Sequence, residues 1–390
     1  MKKVNIIFVI LLSITGCGGN KRSINQNDAF IVVDVTAKYP KIELILQDFM
    51  DVEYIALETT DEFLCQGLVL AVGNEIILVK NQIDDGDIFV YDRGGQALRI
   101  INRKGQGREE YSSIIGVTLD EENNEMFVND IQRIIVYDLY GKFSRSFAKE
   151  GGPRNRNMLI HNFDKENLIC QASTTQIDNN STESLPFVIM SKKDGSIVKD
   201  IRIQFKQGVS TMITVPFGEL TSTMYPAFNT IIPSHNSWIL MDPSSDTIFN
   251  LLPDYSMIPF MVRTPTIYSM NPEIFLRPGI FTDRYYFMET LRREYSSGAI
   301  GLLPTIQLFY DRQEKKIYEY TVNNDDYVNK NTISFSTAVK SHKIPFWQKI
   351  EAFELVESYE KEELKGKLKE IAAKLDEDSN PVIMLVKNKN

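Results

Sequence analysis

One short pattern recurs five times along this chain and restricts its fold more than any other feature. Each copy is an apolar run that ends in an aromatic residue or methionine. In four copies aspartate follows, and every copy leads into a polar turn and a second strand-like run. Aspartate before such a turn makes local side-chain to backbone hydrogen bonds, so we predict turn-forming rather than catalytic roles for it. The copies are Phe89–Asp92, Ile135–Asp138, Val188–Ser191, Ile239–Asp242 and Leu308–Asp311.

Repeating units of about 40–50 residues with about four short strands each are typical of β-propeller blades. Two further strand-like segments, Val52–Glu58 near the start and Val382–Lys387 at the end, have no partner in their own neighbourhood. We predict that they share one blade, which would lock the two chain ends together and close the ring. With the five repeats, this composite blade predicts an all-β fold, a six-bladed β-propeller over residues 31–390.

One segment near the C-terminus has helical rather than β periodicity. Ser358–Asp376 predicts an amphipathic helix, with an apolar stripe on one side and a Lys- and Glu-rich face on the other. We expect the stripe to pack on the outside or rim of the ring, and a docking helix for a partner is the alternative. The stripe consists of Leu364, Leu368, Ile371, Ala372 and Leu375.

The N-terminus has the features of a bacterial lipoprotein signal. Lys2 and Lys3 precede the apolar run Val4–Ser13, and Ile14–Cys17 fits a lipobox in which the cysteine is acylated after cleavage. The sequence therefore predicts a signal peptide over 1–16 and a lipid-anchored tether over 17–30. A lipid anchor of this kind predicts a location in the cell envelope. We favour the outer membrane, on the side that faces the periplasm, and surface exposure is the alternative.

The charge balance excludes one class of partner. The net charge is −9, and loss of Lys2 and Lys3 with the signal makes the mature chain −11. Nucleic-acid binding requires a basic surface, so we predict no nucleic-acid partner. No apolar run after residue 17 reaches the ~18 residues of a membrane span, so we predict no transmembrane helix and membrane attachment through the lipid alone.

The second repeat resembles the blade of NHL-repeat proteins. The resemblance rests on Asn123–Asp130, on Arg133–Asp138 and on the following Gly141–Phe143. The mature chain as a whole resembles the six-bladed β-propeller lipoproteins of Gram-negative gut anaerobes, a TolB-like and NHL-like group of largely unknown function. The resemblance implies a fold and a compartment, but it implies no reaction.

No catalytic or metal motif stands out in the sequence, and we predict no catalytic residue, no metal site and no cofactor. We expect the three histidines His161, His235 and His342 to be separate surface or core residues, with their convergence at the ring axis as the alternative. We expect Cys65 and Cys170 to be separate buried thiols, although an envelope protein permits a disulfide. We interpret Trp238 and Trp347 as packing residues rather than sugar platforms.

The best binding candidate is the loop from Arg103 to Tyr111. In a propeller this segment links the outer strand of one blade to the inner strand of the next, at one mouth of the channel. Three cations and a tyrosine on an acidic chain suit an acidic ligand, and a solvated inter-blade turn is the alternative. The candidate ligand-binding residues are Arg103, Lys104, Arg108 and Tyr111.

These observations favour a lipid-anchored, non-catalytic module that binds an envelope protein, peptide or glycan. The alternative is a hydrolase or lyase with its site at the channel mouth. A likeness of fold alone cannot decide between them, because one fold supports many functions.

Overall fold

Twenty-eight strands form nearly all of the regular structure in the computed structural model, which describes residues 30–149, 158–172, 180–217, 220–295, 303–335 and 341–389. The predicted signal peptide, Cys17 and almost all of the predicted tether lie outside these ranges. The strands are β1 (Ile31–Asp34), β2 (Lys41–Ile45), β3 (Met50–Ala56), β4 (Leu68–Val72), β5 (Ile76–Lys80), β6 (Asp87–Asp92), β7 (Ala97–Asn102), β8 (Gly116–Asp120), β9 (Glu125–Asn129), β10 (Arg133–Asp138), β11 (Phe143–Ala148), β12 (Met158–Asn162), β13 (Asn167–Ala172), β14 (Phe187–Ser191), β15 (Ile197–Ile201), β16 (Ile213–Phe217), β17 (Leu220–Met224), β18 (Ile231–Ser234), β19 (Ser237–Leu240), β20 (Thr247–Leu251), β21 (Met257–Thr264), β22 (Ile274–Phe281), β23 (Tyr285–Arg292), β24 (Thr305–Asp311), β25 (Lys316–Asn323), β26 (Thr332–Ile333), β27 (Phe346–Ile350) and β28 (Val382–Asn388).

The strands assemble into six blades, as the repeats predict. Blade 1 is β4–β7, blade 2 is β8–β11 and blade 3 is β12–β15, each a four-stranded antiparallel sheet. Blade 4 is β18–β21 with β1 added in parallel, and blade 5 is β22–β25 with β2 added in parallel and β26 at the same strand. Blade 6 is β27–β28–β3, and the hairpin β16–β17 stands apart between blades 3 and 4.

The predicted closure of the ring is confirmed. Strand β3 pairs with β28 in antiparallel register from Val382↔Ala56 to Asn388↔Met50, so blade 6 contains both the start and the end of the propeller. The N-terminal segment therefore contributes a strand to each of three blades, because β1 and β2 have already extended blades 4 and 5. The chain ends are held by backbone pairing rather than by a disulfide, and Cys65 and Cys170 are separate buried thiols as expected.

The turn role predicted for the repeated aspartates is confirmed, and three of the four occupy the same place in their blades. Asp92 Oδ1 accepts the N–H groups of Gly94 and Gln96, and Asp138 Oδ1 accepts those of Tyr140 and Lys142. Asp311 Oδ1 makes the same kind of bond with the two residues at 313 and 314. Each of these aspartates ends the third strand of its blade.

The fourth aspartate, Asp242, lies elsewhere, so its predicted place in the repeat is wrong. It follows β19, the second strand of blade 4, and the third strand is β20. There Leu252 takes the position of the turn aspartate and pairs with Ser256 across the turn. Asp242 Oδ1 accepts the N–H of Ser244 at 2.8 Å, which is the same kind of turn hydrogen bond. The sequence motif therefore looks the same although this turn follows the second strand instead of the third. Burial raises the pKa of Asp242 to about 6.

The predicted C-terminal helix is present as two helices rather than one. The three α-helices are α1 (Leu46–Phe49), α2 (Ala352–Glu360) and α3 (Gly366–Ala372). Glu362 and Gly366, with φ of 57° and 53°, interrupt the helical path, and Leu364 forms a bridge with Tyr327 instead. Leu364, Leu368 and Ala372 are nevertheless buried, so the stripe packs on the ring as expected. Within the described ranges, no helix is both long and apolar enough to cross a membrane.

Replacement of Asn380 tests the closure of the ring. Its buried side chain accepts the N–H of Cys65 at 2.8 Å and donates to the carbonyls of Glu58 and Phe63 at 2.8 and 2.6 Å. Asn380→Ala leaves these buried groups unpaired, and we expect it to lower the free energy of unfolding in urea by about 3 kcal/mol.

The matched control is Asn329→Ala, because Asn329 is exposed and, among the described residues, its amide has a single long contact, 3.4 Å, with Glu363. A change of about 0.5 kcal/mol or less is expected for this variant. Equal stability of the two variants would show that Asn380 does not hold the closure.

Candidate functional site

The two cations at the start of the predicted binding loop are engaged in contacts within the protein. Arg103 Nε donates to the carbonyl of Gly141 at 2.8 Å, which ties the loop to the next blade. Lys104 Nζ donates to the carbonyl of Asp84 and lies 3.5 Å from its carboxylate. These bonds fix the entry of the loop on blades 1 and 2.

The end of the loop is part of the core. Tyr111 is fully buried, its hydroxyl donates to the carbonyl of Gly86 at 2.6 Å and accepts the N–H of Arg103 at 2.9 Å, and burial raises its pKa to about 12. The guanidinium of Arg133 donates to loop carbonyls, among them that of Arg108 at 2.8 Å. The Arg108 side chain is exposed and has no partner among the described residues. The binding role of the loop stays a prediction, and Arg108 is the member best placed for it.

A cavity of about 570 Å³ lies at the axis of the ring. Its walls come from the inner strands β4, β8 and β12 and from the turns that follow them, and Trp238 and the segment Ser341–Ile344 close the other side. The volume lies within the range of about 300–1,000 Å³ of small-ligand sites. The cavity is the larger candidate site, and it was not predicted from the sequence.

The wall on the side of blades 1–3 is mainly aliphatic and only half-buried. By contrast, β18 is buried along its whole length and β22 along most of it, and one large apolar cluster fills the ring between blades 4, 5 and 6. The ring is thus filled on one side and open on the other. The half-buried aliphatic residues are Leu70, Val72, Val117, Leu119, Leu159 and Ile160.

The expectation that the histidines are separate is wrong, since two of them meet at one tryptophan and the backbone of the third, His235, lies beside the ring of His342. The rings of His161 and His342 both contact Trp238, at centroid distances of 5.4 and 4.7 Å, and all three residues line the cavity. Burial lowers the pKa of His342 to about 4, so this ring is uncharged at neutral pH. His235 lies in the turn after β18, where its Nε2 is 2.8 Å from Asp283. No group of three or more His, Cys, Asp or Glu side chains in the described ranges is arranged to hold a metal ion.

Polar side chains at the cavity tie neighbouring blades together. Glu121 of blade 2 accepts the N–H groups of Asn74 and Glu75 of blade 1, at 2.6 and 2.9 Å. Lys192 Nζ lies 2.6 Å from Asp120 Oδ2, and both side chains are buried. Because these charged groups have partners within the protein, they position the wall and do not offer a charge to a ligand.

The predicted loop and the cavity rim lie at opposite ends of the blades. The loop contacts the connections between second and third strands, through Gly86 and through Arg133 at the start of β10. The rim consists of the turns between first and second strands, at Asn74, Glu121 and Asp164. Successive connections of an antiparallel sheet alternate between its two ends. The ring therefore has two separate surfaces on which a partner can be sought.

Comparison with family models identifies the fold group of this sequence. Residues 20–344 match the model of DUF5128, described as a 6-bladed beta-propeller. The chain belongs to this family. A comparison with curated proteins found no match.

Several solved structures are similar to this chain at low sequence identity. A Bacteroides fragilis protein predicted to be exported is 14% identical, with a TM-score of 0.54 over 90% of this chain and 99% of that one. A member of the duf4221 family from Bacteroides vulgatus is 8% identical, with a TM-score of 0.44 over 88% and 100% of the two chains. The Staphylococcus aureus virginiamycin B lyase is also 8% identical, with a TM-score of 0.35 over 87% and 100%. Only the first likeness is close enough to support the fold, and none assigns an activity to the DUF5128 chain.

The structural role of the loop end is tested by Tyr111→Phe. The variant loses the hydroxyl that bridges Gly86 and Arg103, and we expect the free energy of unfolding to fall by about 1–2 kcal/mol. Tyr140→Phe is the control, because Tyr140 is 71% exposed, and it should change stability by about 0.5 kcal/mol or less. If thermal and urea unfolding of the two variants coincide, Tyr111 does not fix the loop.

Proposed function

We propose that this chain is a non-catalytic binding module of the cell envelope, anchored by lipid at Cys17, and that the cavity at the ring axis receives its ligand. The lipobox Ile14–Cys17 supports the anchor. The open cavity, which is lined by both apolar and polar side chains, is the main observation in favour of a binding role. The ligand is an envelope protein, a peptide or a glycan.

Two features of the cavity support binding rather than catalysis. The buried ion pair Lys192–Asp120 and the carboxylate of Glu121 have partners within the protein, so they do not form an exposed acid–base pair. The inner strands of the open wall contribute mainly aliphatic side chains, with Thr118 and His161 between them, so the wall chiefly provides contact area. Such a site holds a ligand by burial of apolar surface and by shape.

The anchor is tested by Cys17→Ala in the expressing bacterium. We expect an alkyne-labelled palmitate to mark the native chain and not the variant, and the variant to leave the membrane fraction, because the acyl chains supply the attachment. The control is Ser23→Ala, which removes only a hydroxyl group from the predicted tether and should keep both the label and the location. Retention of the label by Cys17→Ala would contradict the anchor.

The cavity is tested by blocking its rim with a bulky maleimide. Asn74 lies on the rim and its neighbour Glu75 does not line the cavity, yet both are exposed. We would place a single cysteine at either position, Asn74→Cys or Glu75→Cys, in full-length chain that carries Cys17→Ser. The native Cys65 and Cys170 are buried and should not react.

We expect an envelope component retained by the immobilised protein to be lost when the label is at 74 and kept when it is at 75. Equal retention by both labelled proteins would place the binding site outside the cavity. If the component is chemically converted rather than retained, and only the label at 74 stops the conversion, the chain is a hydrolase or lyase instead.

A further inference from the structure

We infer that the cavity holds apolar side chains of a peptide segment, an inference that rests on the binding function proposed above and names its ligand class. Half-buried aliphatic residues from three neighbouring inner strands face one open space. Covering such a surface removes apolar area from water, which favours binding. An occupant with aliphatic or aromatic side chains gains most from this wall.

The aromatic residues argue against a sugar ligand. Stacking of a sugar requires an open aromatic face, but Trp238 is only 5% exposed. Phe163 stacks on its ring at 6.4 Å, and His342 meets it edge-on at 4.7 Å with an angle of 78°. The second tryptophan, Trp347, is half-buried against the apolar cluster between blades 1 and 6. Both tryptophans therefore belong to the wall rather than to a free platform.

The charges around the cavity also fit a peptide better than a charged glycan. Lys192 is neutralised by Asp120, and His342 is uncharged at neutral pH because burial lowers its pKa. At the exposed rim, Glu122 and Lys165 have no side-chain partner among the described residues and carry opposite charges. An apolar centre with a rim of mixed charge is the arrangement of protein–protein contact sites.

Intrinsic fluorescence gives a direct readout of the cavity. The chain has two tryptophans and both line the cavity, so a ligand there changes their emission. The probes are acetylated and amidated tripeptides built from Leu, Ile and Phe, matched tripeptides of Ser and Asn, and the saccharides maltotriose and triacetylchitotriose. We expect a saturable change with apolar tripeptides and at least tenfold weaker binding of the polar tripeptides to the full-length chain.

Variants of the wall connect the signal to the site. Leu119→Asn keeps the approximate shape of a half-buried wall residue but removes its apolar contact, and we expect at least a tenfold rise in the Kd of the apolar tripeptides. Leu98→Asn makes the same change at a 44% exposed position of the outer strand β7 and should leave the Kd unchanged. Val117→Thr, a smaller change in the same wall, serves if Leu119→Asn does not fold, and it should raise the Kd about threefold.

The possible outcomes separate this inference from the proposed function. A saturable response to a saccharide and none to any apolar tripeptide would overturn the peptide ligand but leave the cavity as a binding site. The same Kd in the wild type and in both wall variants would place the peptide elsewhere. No response to any apolar tripeptide would also overturn the inference, whereas the proposed function fails only if labelling at position 74 leaves retention unchanged.

Discussion

The antiparallel pairing of β3 with β28 is the constraint on which the rest of the ring depends. Blades contact only their neighbours, so a ring that is open at one point exposes two apolar blade faces and a free edge. Seven paired positions, from Val382↔Ala56 to Asn388↔Met50, prevent this. The same N-terminal segment adds β1 and β2 to the outer edges of blades 4 and 5, so three consecutive blades are held by one stretch of chain.

Contacts between successive blades are also set by backbone geometry. In each of blades 1–3 a glycine with positive φ ends the turn after the third strand and lies against the preceding blade, where a side chain would collide. Two arginines reinforce the same contact, since Arg99 and Arg145 donate to turn carbonyls of the following blade. The glycines and the groups they approach are Gly95 with Ala56, Gly141 with Ile101 and Gly195 with Phe147.

Features formed by residues close together in the chain could be predicted from the sequence. Features formed by residues that only the fold brings together could not. The turn aspartates Asp92 and Asp138 could be located from their own neighbourhood, and so could the apolar stripe that contains Leu368. Asp242 was misplaced because its bond to the N–H of Ser244 is the same local signal in a different corner. The cavity had no local signal at all, since its walls come from strands more than 40 residues apart that meet only at the axis.

The residues around the cavity fall into two groups, according to whether their side chains have partners within the protein. Glu121 and the pair Lys192–Asp120 are committed to neighbouring blades, so substituting them would disturb the position of the wall before it affected any ligand. The aliphatic wall is the reverse case, because its half-buried side chains on β8 and β12 have apolar surface that the fold itself leaves uncovered. Since burial of that surface does not depend on charge, the affinity of an apolar ligand should vary little with ionic strength. Selectivity then rests on the shape of the space between the three inner strands and Trp238, which is fixed by the closure of the ring.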